Sequence, residues 1–71
     1  MAESVYKVLE VIGTSPTSWE DAARAAVEKV AARVQDCRVG RVVELDMRIE
    51  DGKLAFFRAR VKVSFKYHDE L

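Results

Sequence analysis

The chain predicts a small α+β fold in the order strand, helix, strand, strand. Three features lead there: a β-branched run near the N-terminus, one stretch with apolar residues three and four apart, and two long alternating segments. The 71 residues allow one domain at most, spanning 1–71, with a core of 3–67 and a polar tail at 68–71 expected to fray.

The first strand is expected over residues 4–12, where Val5, Tyr6, Val8, Leu9, Val11 and Ile12 crowd together and Gly13 ends the run. A helix follows, over 18 to about 34. Thr17 and Glu20 stand at capping-box spacing, with Pro16 just ahead and the acids Glu20 and Asp21 in the first turn. Trp19, Ala22, Ala23, Ala26, Val27, Val30 and Val34 then form one apolar stripe. Its alanines permit close approach of a sheet.

Two half-exposed antiparallel strands complete the chain, over 38–49 and 53–67. In the first, Val39, Val43, Leu45, Met47 and Ile49 alternate with charged residues. In the second, Ala55, Phe57, Ala59, Val61, Val63, Phe65 and Tyr67 alternate with Arg58, Arg60, Lys62, Ser64 and Lys66. Parity favours a three-residue turn, Glu50-Asp51-Gly52 with Gly52 left-handed, which pairs Leu45 with Phe57 and Val43 with Ala59. Glu44 would then face Arg58.

Composition narrows the function. Apolar types make up 49% of the chain and charged types 34%, a globular balance. Twelve basic residues meet twelve acidic ones, which argues against a nucleic-acid or membrane-surface partner. A chain this short buries only about 60% of its unfolded surface, and its single Cys37 cannot form an internal disulfide. Support must come from neighbouring subunits or a ligand. The two long strands, at roughly 40–50 Å, outreach one helix of about 25 Å. No signal peptide or membrane-spanning run is visible, so a cytoplasmic protein is expected.

Catalysis finds little to use. The one histidine, His68, lies in the polar tail, and no nucleophile–base arrangement can be built around it. No enzyme is expected. Residues 13–18 precede a helix N-terminus and read as a structural turn, with an anion site as the alternative. Glu44 and Asp46 share a strand face and offer hard oxygens to a cation such as calcium. Two carboxylates fall short of six to eight ligands unless symmetry multiplies them. The plainer reading pairs Glu44 with Arg58, and Asp46 with Arg48 or Arg60. Arg38, Arg58, Arg60, Lys62 and Lys66 form a polar face, either solvated and salt-bridged or turned toward an anionic ligand. Trp19 is expected at a packing or subunit contact.

The opening Val5-Tyr6-Lys7-Val8-Leu9-Glu10-Val11-Ile12-Gly13-Thr14-Ser15-Pro16, the Glu50-Asp51-Gly52 turn and the ending Val61-Lys62-Val63-Ser64-Phe65 resemble the dodecins over nearly the whole chain. The resemblance implies a three-stranded antiparallel sheet wrapped around one helix, assembled as a hollow homododecamer. Typical dodecins stack flavins between tryptophans, with a glutamine on the ring. The tryptophan position here is Val39 and the glutamine position Arg58. Valine has no π face, and arginine offers only donors. Gly13-Thr14-Ser15-Pro16-Thr17-Ser18-Trp19-Glu20, Arg38-Val39, Arg41-Val42, Glu44 and Asp46-Met47 are similar to the calcium dodecin subgroup. That similarity implies a small-ligand-binding cage holding calcium through Glu44 and Asp46. Val39 and Arg58 mark the family ligand pocket, and Arg38, Arg60, Lys62 and Trp19 an oligomer or anion surface. The alternatives are flavin sequestration, or a structural assembly without a ligand.

Overall fold

The structure, a computed structural model, describes residues 3–67. It contains β1 (Tyr6–Ser15), α1 (Trp19–Ala31), β2 (Cys37–Glu50) and β3 (Lys53–Lys66), in the expected order. His68 and the rest of the polar tail, 68–71, lie outside the described residues. The sheet is antiparallel with order β1-β3-β2, so the last strand is central and the helix carries the chain from one edge to the other.

The first strand does not stop at Gly13. It continues to Ser15, with Gly13 opposite Ala59 in the ladder. The glycine is there because α1 crosses the sheet on top of it. A Cβ at Gly13 would run into the carbonyl oxygen of Ala22 and come within 2.9 Å of the Ala26 Cβ. Ala22 and Ala26 are themselves buried, so small side chains on both surfaces bring helix and strand together.

The helix cap also falls one residue later than the capping-box spacing suggests. Ser18 is the N-cap, extended at φ −165° and ψ 163°, and its hydroxyl accepts from the Asp21 amide at 3.0 Å. Thr17 is left outside because Ser15 Oγ takes its amide at 3.0 Å. Replacing a serine cap of this kind costs about 1 kcal/mol. The regular helix ends at Ala31, three residues short of Val34, though the Val34 amide still reaches the Val30 carbonyl at 2.9 Å.

The hairpin keeps the expected parity by a different route. Glu50 pairs with Lys53 around a two-residue loop in which Asp51 (φ 53°) and Gly52 (φ 74°) are both left-handed, the geometry that matches strand twist. A bulge beside Arg48 and Ile49 then shifts the ladder by one. Odd residues meet odd ones from Glu44 to Arg48 but not through all of β2: Leu45 faces Ala59 and Met47 faces Phe57, while Val43 falls at an irregularity and does not face Ala59. Glu44 faces Arg60, not Arg58. Two further irregularities, at 42–44 and 37–39, break the alternation in β2. Val42 opposes the buried Val61, while Val39 opposes Ser64 on the opposite face from Val61. The single apolar face expected for 39–49 is therefore split.

The core is small: Ala22, Ala26 and Val30 from the helix against Ala59, Val61 and Val63 from β3. The molecule measures 54 × 19 × 18 Å, and a 13-residue helix of about 20 Å covers less than half that length. Thirteen large apolar side chains among the described residues remain exposed, Ile49 at 64% and Val39 at 59% among them. This much uncovered apolar surface marks contact sites.

Candidate functional site

Residues directly opposite each other in an antiparallel ladder share a face, so the register assigns the chemistry of each surface. On the face turned away from α1, four rungs cross the sheet. Val8, Ser64 and Val39 form the first; Glu10, Lys62 and Arg41 the second; Ile12, Arg60 and Glu44 the third; Thr14, Arg58 and Asp46 the fourth.

The fourth rung holds the tightest contact. Arg58 grips Asp46 with two parallel bonds, Nε to Oδ1 at 2.7 Å and Nη2 to Oδ2 at 2.9 Å. Hydrogen bonding from Arg58 holds the Asp46 carboxyl below the usual aspartate range. Partial desolvation opposes that shift, and the charges of Arg58 and Arg60 add to it. Asp46 likewise raises the Arg58 guanidinium, through the hydrogen bond first and its charge second. In the third rung, Arg60 Nε lies 3.1 Å from Glu44 Oε1, and Arg60 Nη1 lies 3.5 Å from Glu10 Oε2. The pairing expected from sequence, Glu44 with Arg58, is thus exchanged: each acid sits two residues further along the partner strand, one from the shorter turn and one from the bulge.

Trp19 belongs to the other side of the sheet. Its Nε1 donates to the Asp46 carbonyl at 2.9 Å, and its ring meets Phe57 edge-on, centroids 5.0 Å apart at 68°. The first helical turn is thereby tied to β2 at the residue whose carboxylate Arg58 holds. Nothing in the sequence pattern links Trp19 to Asp46. Arg38, at an irregular position in β2, lies 3.6 Å from Asp36. Cys37 is half-buried, its thiol 3.6 Å from the Val34 carbonyl.

Val39 and Arg58 do share the helix-free face, but Val39 pairs with Ser64, six residues from Arg58. At 3.3 Å per residue the separation within one chain is about 20 Å. The alternative anion site at the helix N-terminus is filled by the chain itself: Ser15 Oγ accepts from the Thr17 amide at 3.0 Å and, more weakly, from Ser18 at 3.5 Å, and Ser18 Oγ takes the amide of Asp21.

Calcium asks for six to eight oxygens. Glu44 and Asp46 project from one face, yet Asp46 has both oxygens engaged by Arg58, and Glu44 has one turned to Arg60. No group of three or more metal-ligating side chains occurs among the described residues. The donor set of a single chain does not by itself fit the ion.

A short helix laid across one face of a three-stranded sheet, with a charged ladder on the other and large apolar side chains left exposed, defines a small α+β chain with a partly uncovered sheet. Residues 5–68 match the Dodecin family model, and the chain belongs to the dodecin family. It is 51% identical over 63 residues to the calcium dodecin of Mycobacterium tuberculosis, covering 89% of each protein. The crystal structure of that calcium-chelating immunodominant antigen, described as having a novel calcium-binding site, superposes with a TM-score of 0.82 at 49% identity, over 96% of this chain and 97% of that one. The dodecin of Streptomyces coelicolor superposes with a TM-score of 0.90 at 30% identity, over 99% and 100%. The family resemblance and the β-α-β-β architecture read from the sequence both stand. Among the described residues no helix is long and apolar enough to cross a membrane.

Proposed function

We propose that this protein is a non-enzymatic dodecin that closes into a cytoplasmic dodecamer and binds calcium through carboxylates brought together from several copies. The observation that supports it most is the 51% identity to a relative named for calcium. The carboxylates Glu44 and Asp46 stand on one strand face, two residues apart. A single chain lacks enough free oxygens, so the proposed site forms where Glu44 and Asp46 of neighbouring subunits converge, with water completing the shell. Arg58 holds the Asp46 carboxyl ionised, and Arg60 pairs with Glu44, until the ion competes for them. Asp46, clamped on both oxygens, contributes less readily than Glu44, whose second oxygen makes no bond to a side chain among the described residues.

Calorimetry with calcium on the assembled protein tests the reading. Saturable binding is expected in the wild type, with at least tenfold weaker binding in Glu44→Gln and a smaller loss in Asp46→Asn. Absence of heat at millimolar calcium defeats it. Titrating riboflavin into the same preparation separates the flavin alternative. Val39 supplies no ring to stack on and Arg58 is committed to Asp46, so flavin emission is expected to stay undiminished.

A further inference from the structure

The β2–β3 hairpin outruns the rest of the fold. β1 leaves the ladder at Ser15, opposite Phe57, so beyond that rung β3 has β2 as its one neighbour in the chain. The buried core stops at Ala59, and every residue from 47 to 57 is exposed or half-buried. What projects is a two-stranded arm of about 15 Å from the Asp46–Arg58 rung to the turn, at 3.3 Å per residue. A two-stranded ribbon by itself is marginally stable in water. Near the end of the arm Ile49 and Leu54 stand opposite each other, both exposed.

Trp19 sits at the root of this arm. Its Nε1 donates to the Asp46 carbonyl on β2 and its ring meets Phe57 on β3, so it touches both strands just before the sheet narrows to two. The tryptophan has a firm base of its own. It opens α1 directly after the Ser18 cap, and Ala22, three residues on, lies against Gly13 of β1. Asp46 falls between two ladder irregularities, at 42–44 and 48–49, where a strand bends and its twist increases. A strand free to bend on either side of Asp46 takes its direction from whatever holds Asp46.

We propose that Trp19 is a positioning residue for the hairpin arm: it fixes the direction in which the arm leaves the helix-covered body, and so the pose in which Ile49 and Leu54 meet a second copy. Its effect on assembly rests on the dodecamer reading above; its hold on the arm does not. The acceptor is a backbone carbonyl, which every substitution at Asp46 keeps, so Trp19 is the partner that can be removed. Loosening the arm in one chain is a small loss, but it compounds over every copy that an assembly joins.

Amide hydrogen exchange and light scattering on the full chain test it, comparing wild type, Trp19→Phe and Val30→Ala. Trp19→Phe keeps a ring beside Phe57 and loses the donor. Val30→Ala thins the buried core near the other end of α1 and leaves the Trp19–Asp46 bond in place. Trp19→Phe is expected to speed exchange over residues 47–56 about fivefold, the loss of one hydrogen bond, and to fall into smaller species at a dilution where the wild type stays whole. Val30→Ala, although less stable, is expected to leave arm exchange and particle size as they are. Arm exchange unchanged in Trp19→Phe overturns the proposal, as does an equal rise in Val30→Ala, which makes Trp19 ordinary packing. Faster arm exchange with full-size particles at every dilution overturns its assembly half. A wild type found as a folded monomer defeats the dodecamer reading instead, and arm exchange in Trp19→Phe still decides whether Trp19 holds the arm.

Discussion

Asp46 is held from both sides of the sheet: Arg58 closes on its carboxylate at 2.7 and 2.9 Å, while Trp19 donates to its backbone carbonyl at 2.9 Å. One residue of β2 thus joins the charged ladder to the helix packing. Perturbing either contact is expected to be felt across the sheet.

The carboxyl of Asp46 is held below its ordinary value. A group whose folded pKa is depressed contributes stability above its unfolded pKa, near 3.9, and loses that contribution as pH falls through the lower folded value. Thermal midpoints of wild type and Asp46→Asn are therefore expected to differ at neutral pH and to converge in the acid range below about pH 4. A gap that persists undiminished at the lowest accessible pH contradicts the assignment.

Trp19→Phe keeps the ring but removes the donor to Asp46. It is expected to cost about 1 kcal/mol in denaturant unfolding. Trp19→Ala also removes the contact with Phe57 and leaves a gap under β2. Because the ring is half-buried, the expected cost is about 2–3 kcal/mol, below that of a fully buried tryptophan. The ranking of the two variants is the measurement to make.

Glycine substitutions separate close approach from backbone conformation. Gly13→Ala drives a methyl group into the backbone of Ala22, which cannot swing aside, so the helix must lift off β1 and soluble folded protein is expected to be lost. At Gly52 nothing lies within 4 Å and only the positive φ resists. Gly52→Ala is expected to fold, with a loss of about 1–2 kcal/mol.

Exposed apolar residues on the helix side of β2, Val42 and Leu45 among them, are expected to be covered by other copies. Leu45→Asp introduces a charge there, and light scattering on the variant should show a fall from about twelve chain masses to small species or precipitate. A wild-type chain found as a folded monomer in dilute buffer would overturn the assembly.

Element order, helix position and strand alternation were legible because each depends on neighbours in sequence: 3.6 and 2 are local periods. The positions that misled were those where a distant group intervened. Gly13 reads as a stop until Ala22 is seen lying over it. Thr17 and Glu20 have capping-box spacing, but Ser15 claims the Thr17 amide and moves the cap to Ser18. The hairpin parity was recoverable from the odd apolar residues, yet two structures satisfy it, a longer turn or a short turn with a bulge.

Residue chemistry and periodicity were enough to define a strand–helix–strand–strand chain with a thin core and with acids and arginines along one sheet surface. Folding in three dimensions decided which acid meets which arginine, put Trp19 on the Asp46 carbonyl, and set Arg41 opposite Lys62. The reason is that a bulge adds or drops one residue in the ladder. Such a shift hardly alters local propensity, but it changes every cross-strand partner beyond it.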